Sequence, residues 1–389
     1  MAEKYYEDHK EETLQDIPPE YQRHVQVFSE KEAEHFPSSQ EWDHRIPLTP
    51  NTPETINIQM FSLAQECHNA IQNWVKKLVA KKFIARSDSQ YGHATFTVPK
   101  KDGTYRIIQD YRPINKYTQK DTTPLLNIQE AIKGLSNKVL FSKYDIWKGY
   151  NNIQIVPEDR WKAAFKTPDG LFEPNVMLFG LQGAPRTFSC MIAVDIAPMY
   201  HEFPQNWFKH YMDNCLIVTV EGELQLHQQV NHRLLDLFEQ HSYFLKPSRC
   251  VFEQPEVDFL GVRLGHGEIT INPSKIAGIG EWPSILKNIK EVWSTLGVLR
   301  FQQPFILGFA SIARPLTNLL KKGITFLWMD KCTQALEYLK SIVTSELVLV
   351  PPDQEQQFIL KVDMSQFTTG AILYQADKKM TDRKGNPIL

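Results

Sequence analysis

The chain has 389 residues, 42% of them hydrophobic and 23% charged, with a formal net charge of −2. That composition belongs to a globular protein with room for two or three domains, and it excludes a global basic field directed at nucleic acid. No apolar run approaches 18 residues, so no membrane-spanning helix is expected, and the polar, acidic N-terminus does not read as a signal peptide. The five cysteines (Cys67, Cys190, Cys215, Cys250, Cys332) form no CxxC pair and no zinc spacing. An intracellular protein without disulfides and without a membrane partner is expected. The charge is uneven. Residues 1–36 are rich in Glu and Asp, whereas eleven Lys or Arg face three Asp between Lys76 and Lys120. Such a stretch binds phosphate backbones or forms a solvated helix face, and composition leaves both readings open.

Residues 1–60 are polar and punctuated by proline, which predicts an extended arm with one short helix near residues 29–35. Residues 62–85 carry Leu63, Cys67, Ala70, Ile71, Trp74 and Leu78 at helical spacing, with Ser62 as a candidate cap. Strands at 94–99 and 104–109 flank Lys100-Lys101-Asp102-Gly103, where Asp-Gly signals a hairpin. A basic tip with Arg106 beside it suits a triphosphate, and equally suits a lysine-guarded sheet edge. A short helix is expected at 128–135 and a strand at 139–144 ending on Asp145. Further strands are expected at 153–156, 161–167 and 171–178. A glycine-bearing loop, 179–185, then opens a helix to about Tyr200, with Pro185 at its first position.

Bulky and β-branched residues next flank Met212-Asp213-Asn214, a β-hairpin whose turn holds a carboxylate rigidly outward. On its own this is also an ordinary Asp-Asn turn. A helix at 224–241 and a strand pair at 245–253 and 256–264 follow, with Phe259-Leu260-Gly261 in the second strand. From 265 the pattern is helical: 273–280, 289–309, 312–321 and 331–345. Strands return at 358–362, with Asp363 at the end, and at 369–375. Two strand-end acids on separate β elements, Asp145 and Asp213, are the hard oxygen donors that a two-metal phosphoryl-transfer site needs, with ions roughly 4 Å apart.

Nine motifs occur in an order that resembles the polymerase region of gypsy-type long-terminal-repeat retrotransposons. They are Val98-Pro99-Lys100-Lys101-Asp102-Gly103, Asp110-Tyr111-Arg112-Pro113-Ile114-Asn115, Phe141-Ser142-Lys143-Tyr144-Asp145, Gly149-Tyr150-Asn151-Asn152, Phe179-Gly180-Leu181 with Ala184-Pro185-Arg186-Thr187-Phe188, Tyr211-Met212-Asp213, Phe259-Leu260-Gly261, Ile312-Ala313-Arg314-Pro315-Leu316 and Val362-Asp363-Met364-Ser365. The resemblance runs from about Ile17 to Leu389. It implies an α+β, right-handed polymerase of fingers, ferredoxin-like palm and thumb, followed by the beginning of an RNase H-like α/β module. In this sequence the arm is 1–60, fingers and palm 61–264, thumb 265–325 and the truncated RNase H-like domain 326–389.

The reaction implied is RNA-directed DNA synthesis. The partners are an RNA or DNA template with its primer and deoxynucleoside triphosphates. The cofactors are two Mg2+ ions, with Mn2+ as the alternative. By motif, Asp145 and Asp213 resemble the palm metal ligands. Lys100, Lys101 and Arg106 resemble the groups that grip the triphosphate. Tyr150 resembles the aromatic gate beneath the sugar, Phe179 and Gly180 part of the base-pair pocket, and Phe259, Leu260 and Gly261 the primer grip. Asp363 resembles the first RNase H acid, but the further acids are missing, so RNase H activity is expected to be absent.

Three positions depart from the family pattern. The family has Tyr-x-Asp-Asp where this chain has Tyr211-Met212-Asp213-Asn214. A neutral amide offers one oxygen and no charge to a metal. Phe301-Gln302-Gln303 replaces a Tyr-Tyr-Arg run, and Trp147 stands where a basic residue is usual. Impaired polymerase activity is expected, with a catalytically inactive nucleic-acid-binding remnant as the alternative.

Overall fold

A computed structural model describes residues 16–29, 31–100, 103–120, 135, 138–204, 207–265, 268–272, 276, 278–303, 306, 308–344, 348–349, 358–364 and 369–375. The helix expected at 128–135 lies almost wholly outside the described residues. The chain divides into two compact units, Met1–Ala131 with Leu140–Gln254, and Ile132–Val139 with Pro255–Leu389.

In the first unit the strands are β1 (Ile56–Asn57), β2 (Ile84–Arg86), β3 (Tyr91–Gly92), β4 (Thr95–Pro99), β5 (Tyr105–Gln109), β6 (Leu140–Asp145), β7 (Phe165–Thr167), β8 (Gly170–Pro174), β9 (Phe208–Tyr211), β10 (Asn214–Thr219) and β11 (Val251–Gln254). Its helices are α1 (Gln65–Ala80), α2 (Arg112–Asn115), α3 (Ala184–Asp195), α4 (Ala197–Glu202) and α5 (Leu224–Gln240). Strands β11, β6, β10 and β9 form one antiparallel sheet in that spatial order. Taken with α3–α4 and α5, the chain order is β-α-β-β-α-β and the strand order 4-1-3-2, the ferredoxin-like arrangement. Val230, Leu234, Leu235 and Phe238 of α5 join Tyr144, Cys215 and Ile217 of the sheet in one core. Phe188 and Ile192 of α3 belong to the same core.

A polar ladder runs through this apolar layer. The His227 ring, fully buried, bonds Ser142 Oγ of β6 at 2.8 Å and Thr219 Oγ1 of β10 at 3.0 Å. Tyr144 donates to Asn231 Oδ1 at 2.6 Å, and Asn231 donates to the His227 carbonyl at 2.9 Å. Buried polar groups persist only when satisfied in this way.

The proline-rich stretch runs over this core. Pro19–Phe28 is a 3-10 helix, and Ile17, Tyr21, Val27, Phe28, Ile46 and Ile56 are all buried. Proline denies these residues a regular helix or strand, yet the apolar residues between the prolines still leave water.

Several element boundaries differ from the periodicity, each for a local reason. Helix α1 begins at Gln65 without a Ser62 cap and stops at Ala80. Lys82 then adopts a positive φ of 61°, which turns buried Phe83 and Ile84 into β2. The strand expected at 153–156 is only bridged, Gln154 to Val176 and Ile155 to His44. Residues 157–163 form a 3-10 turn, so the strand expected from 161 starts at Phe165. The helix expected to Tyr200 breaks at Ile196, because Pro198 cannot donate to the preceding turn.

In the second unit β12 (Glu256–Phe259), β13 (Val262–Gly265), β14 (Glu268–Ile271) and β15 (Val348–Leu349) form an antiparallel sheet. Phe259 ends β12, and Leu260-Gly261 make the turn instead of extending a strand. Their φ values of 50° and 89° suit a two-residue hairpin with both turn residues left-handed. Helices α6 (Ile289–Phe301), α7 (Phe309–Ile312), α8 (Arg314–Asn318) and α9 (Asp330–Thr344) enclose a core of Val292, Leu296, Leu299, Leu316, Leu336 and Leu339. Asn288 caps α6, accepting from the Glu291 amide at 3.0 Å, while Glu291 accepts from the Lys287 amide at 2.8 Å. A β16–β17 hairpin (Phe358–Met364, Thr369–Gln375) follows. Among the described residues, no helix is long and apolar enough to cross a membrane.

Burial pushes the imidazoles of His44, His210 and His227 down to about 4. An unfolded imidazole titrates near 6.5, so unfolding takes up protons between roughly pH 6.5 and 4. Stability is expected to be full above that window and to fall as pH drops through it, by up to about 1.4 kcal/mol per pH unit for each histidine. His227→Leu should cost about 2–3 kcal/mol at neutral pH, because two buried hydroxyls lose a partner. It should also flatten the acid slope, as thermal melts from pH 7.5 to 4 would register.

Candidate active site

The register of β10 against β6 places Asn214 opposite Asp145, and the register of β10 against β9 places Asn214 opposite Tyr211. Between β9 and β10 only Met212 and Asp213 make the turn. Met212 takes a φ of 55°, and its sulfur accepts from Ser189 Oγ at 2.9 Å. The Asp213 carbonyl accepts from the Ile146 amide at 2.8 Å, which stitches the turn to the residue after Asp145. Asp145, Asp213 and Asn214 therefore meet at one end of the sheet.

Their electrostatics are unsettled in a way that matters. Asp145 Oδ1 is buried and has no hydrogen-bond partner. The guanidinium of Arg249 approaches it at 3.5 Å, an ion pair longer than an ordinary hydrogen bond. Burial raises the Asp145 carboxyl above the usual range, the Asp213 charge adds to this, and Arg249 opposes it. Asn214 is turned toward its neighbour, its amide Nδ2 donating to Asp213 Oδ1 at 2.9 Å. One lone pair of Asp213 is thereby occupied by a neutral group.

Tyr150 stands beside these acids, on a 3-10 turn of Gly149–Asn152. Burial raises its phenol and the Asp213 charge raises it further. Phe179 meets its ring edge-on at 4.9 Å and Phe188 at 5.5 Å. A side chain at Gly149 would put Cβ 2.7 Å from the Phe188 ring, so only glycine lets the turn sit against α3. Phe179 is 64% exposed, a large aromatic held in solvent above Tyr150. The loop that carries it is clamped. Asn115 donates to the Gly180 carbonyl at 2.8 Å and accepts from the Gln182 amide at 3.1 Å. Gly180 has a φ of 104°, with Tyr111 at 3.4 Å from a notional Cβ. At the start of the same motif, Arg112 forks onto Asp110 with two bonds of 2.7 Å, which holds the Asp110 carboxyl below its usual range.

Lys100 and Arg106 lie exposed on the β4–β5 hairpin, a different sheet from the acids. Lys101 lies outside the described residues. Trp147 is half-buried, its amide bonded to the Phe244 carbonyl at 2.7 Å, and the Lys148 ammonium lies 4.0 Å from the Trp147 ring and 3.2 Å from Glu34. In the second unit Phe259 is buried, and the Leu260-Gly261 turn is closed by Phe301, whose ring lies 2.8 Å from a notional Gly261 Cβ. Phe301, one of the departures from the family pattern, thus covers this turn. Asp363 pairs with Gly370 along the backbone of β16, and its side chain lies outside the described residues.

Arg249 and the two-way clamp by Asn115 were not singled out from the sequence. Arg249 reaches Asp145 because β11 pairs with β6 across more than a hundred residues, and no local pattern carries that. Asn115 closed a quoted motif, and only its partners were hidden.

Residues 98–264 match the family described as "Reverse transcriptase (RNA-dependent DNA polymerase)", and residues 328–384 match "RNase H-like domain found in reverse transcriptase". The chain is 31% identical over 361 residues to the "Retrovirus-related Pol polyprotein from transposon 297" of Drosophila melanogaster, covering 89% of this chain and 32% of that protein. It is 28% identical over 376 residues to the "Transposon Tf2-7 polyprotein" of Schizosaccharomyces pombe, covering 96% and 27%. The chain spans about a third or less of the length of these relatives. Among solved structures it resembles the foamy viral protease-reverse transcriptase dRH in complex with ds DNA (TM-score 0.78, 18% identity, 98% of this chain and 66% of that one). It also resembles the foamy viral protease-reverse transcriptase in complex with RNA/DNA hybrid (TM-score 0.73, 18%, 98% and 51%). The fold is that of a right-handed polymerase with a ferredoxin-like palm, followed by the start of an RNase H-like module. The chain thus carries a reverse transcriptase domain and an RNase H-like domain found in reverse transcriptases, and the relatives named are retrotransposon polyproteins.

Replacing Asn115 with Ala should release the loop at 179–182, because both of its side-chain bonds to that loop disappear. Hydrogen exchange at the Gln182 amide is expected to quicken about tenfold, with a global cost of about 1–2 kcal/mol. Unchanged protection at Gln182 would mean that other contacts hold the loop.

Proposed function

We propose that this chain is the polymerase portion of a gypsy-type retrotransposon polyprotein, extending a primer on an RNA or DNA template with deoxynucleotides. On this reading fingers and palm are residues 61–264, the thumb 265–325, the arm 1–60 and the opening of the RNase H-like domain 326–389. The observation that carries it is the buried Asp145 Oδ1, which makes no hydrogen bond and has only a long ion pair with Arg249, beside the charge of Asp213. Two carboxylates at one sheet end, one with an unmet acceptor, fit divalent cations, and Asp145 and Asp213 are the residues that would hold two Mg2+, or Mn2+. When bound, such ions stabilise the charge that develops on the attacking and leaving oxygens of phosphoryl transfer.

The other residues act by position. Tyr150 is braced by Phe179 and Phe188, so its ring resists displacement by a ribose 2′-hydroxyl and favours deoxynucleotides. Lys100, Lys101 and Arg106 offset triphosphate charge from the fingers hairpin. The Phe259–Gly261 hairpin grips the primer, and the clamped Phe179-Gly180 loop shapes the wall against the new base pair.

Asn214 impairs this chemistry. Its amide brings no negative charge and already occupies one oxygen of Asp213. Wild-type extension is expected to be weak with Mg2+ or Mn2+. Asn214→Asp should raise the rate by ~10²-fold or more, since each ~1.4 kcal/mol recovered is tenfold. Asp145→Ala should abolish both. Equal rates for wild type and Asn214→Asp in primer extension would sink the impairment.

The same amide supports a second reading, a remnant that binds duplex without copying it. Helix α6 offers a surface for this. Ile289 and Trp293 are exposed on one stripe with Gly297, beside which a Cβ would meet open space. The solved foamy viral relatives hold double-stranded DNA and RNA/DNA hybrid, which supports a nucleic-acid partner here. Affinity for a primer–template duplex should fall with salt at a log–log slope near −0.9 per phosphate contacted. Trp293→Ala should weaken binding severalfold at constant salt. Binding that ignores salt would count against both readings.

A further inference from the structure

The 3-10 helix of Pro19–Phe28 meets α5 at a group of side chains that the polymerase site does not use. His24 is buried, and its Nδ1 lies 3.1 Å from Glu239 Oε1 and 3.7 Å from Asp236 Oδ1. The three ligand atoms all lie within 4.8 Å of one another. Tetrahedral zinc with bonds near 2.0–2.1 Å needs ligand atoms about 3.3 Å apart, so small rotations of two surface carboxylates complete the set. Both carboxylates are partly exposed, at 48% and 37%, which leaves an open side for water.

We propose that His24, Asp236 and Glu239 form a structural site for a divalent cation of the zinc class, clamping the N-terminal segment to α5. One imidazole with two carboxylates suits zinc, whereas magnesium and calcium prefer an all-oxygen shell. Partners for a second layer lie within reach. His24 Nε2 lies 3.0 Å from His232 Nδ1, and His232 Nε2 lies 3.0 Å from Glu20 Oε1. With Nε2–H donating to His232, and His232 donating to Glu20, the His24 Nδ1 lone pair faces the two carboxylates. Ligating histidines are commonly oriented by such partners.

Arg23 works against the cation. Its Nε donates to His24 Nε2 at 2.9 Å, and its Nη2 lies 3.9 Å from Asp236. That contact favours the tautomer with hydrogen on Nδ1, which donates to Glu239. Loading moves the single ring proton from Nδ1 to Nε2 and displaces Arg23, which is 60% exposed and free to swing into solvent.

The test uses the full chain with Zn2+ alone, in an Asp145→Ala background that weakens the palm acids. Titration calorimetry and thermal melts are the readouts. Zn2+ should bind and raise the melting temperature, since a ligand that binds only the folded state stabilises it. Asp236→Asn with Glu239→Gln should weaken that binding at least tenfold and abolish the thermal shift; both positions are on the surface, so folding should survive. Arg23→Gln should tighten binding severalfold, and Mg2+ should produce no shift at the site. Zn2+ binding and thermal shift unchanged in the Asp236–Glu239 double variant would overturn the site. So would a chain that takes up no Zn2+, or an Arg23→Gln variant that binds no tighter while the double variant also loses nothing.

Discussion

The structure depends on one antiparallel pairing, β6 against β10, in a single register. That register sets Asp145 across from Asn214 and brings the Asp213 carbonyl onto the Ile146 amide. A slip of one residue would turn every side chain of β10 to the other face, taking Cys215 and Ile217 out of the core they share with α5. The apolar layer under α5 forbids that slip. The His227 ladder reinforces it, because its two hydroxyl partners sit on β6 and β10 and meet only in this register. The placement of the acids is therefore a consequence of core packing on the opposite side of the sheet.

Around that pairing the site is held by short, local devices. A glycine at 149 admits Phe188, a left-handed Met212 closes the hairpin, and Asn115 clamps the loop that lifts Phe179 into solvent. These contacts make the wall near Tyr150 rigid while the acids stay electrostatically unsatisfied. Burial and mutual repulsion raise Asp145, and Arg249 only partly offsets them. Strongly perturbed carboxyls in a cleft occur at functional sites and in structural ion-pair networks alike.

Asn214 alters that balance without disturbing the fold. An amide and a carboxylate are nearly the same shape, and with the amide the backbone pairing of residue 214 with Asp145 and Tyr211 is intact. What changes is charge. A second carboxylate next to Asp213 would add repulsion to be relieved by metal, whereas the amide relieves it internally with a hydrogen bond. The backbone pairing depends on shape and accepts an amide at 214, whereas the electrostatics beside Asp213 depend on charge.

Much of this was legible before any coordinates. The hairpins at Met212-Asp213 and at the basic tip were legible because turn chemistry and strand alternation are local properties of the chain, and the ordered motifs carried the resemblance that implies a right-handed polymerase. Local pattern was also where the reading stopped. It continued a helix past Ala80 and through Ile196, extended a strand across Phe259–Gly261, and left Arg249 out of the site. The sequence by itself carried the reverse transcriptase resemblance, two strand-end acids as candidates and the amide that departs from the pattern. Only the tertiary structure decided which distant groups meet them: Arg249 through β11, Asn115 at the Gly180 loop, Phe301 over Gly261, and His24 against α5. Those meetings depend on burial shared between segments far apart in the sequence, and a one-dimensional pattern carries no record of which apolar faces find each other.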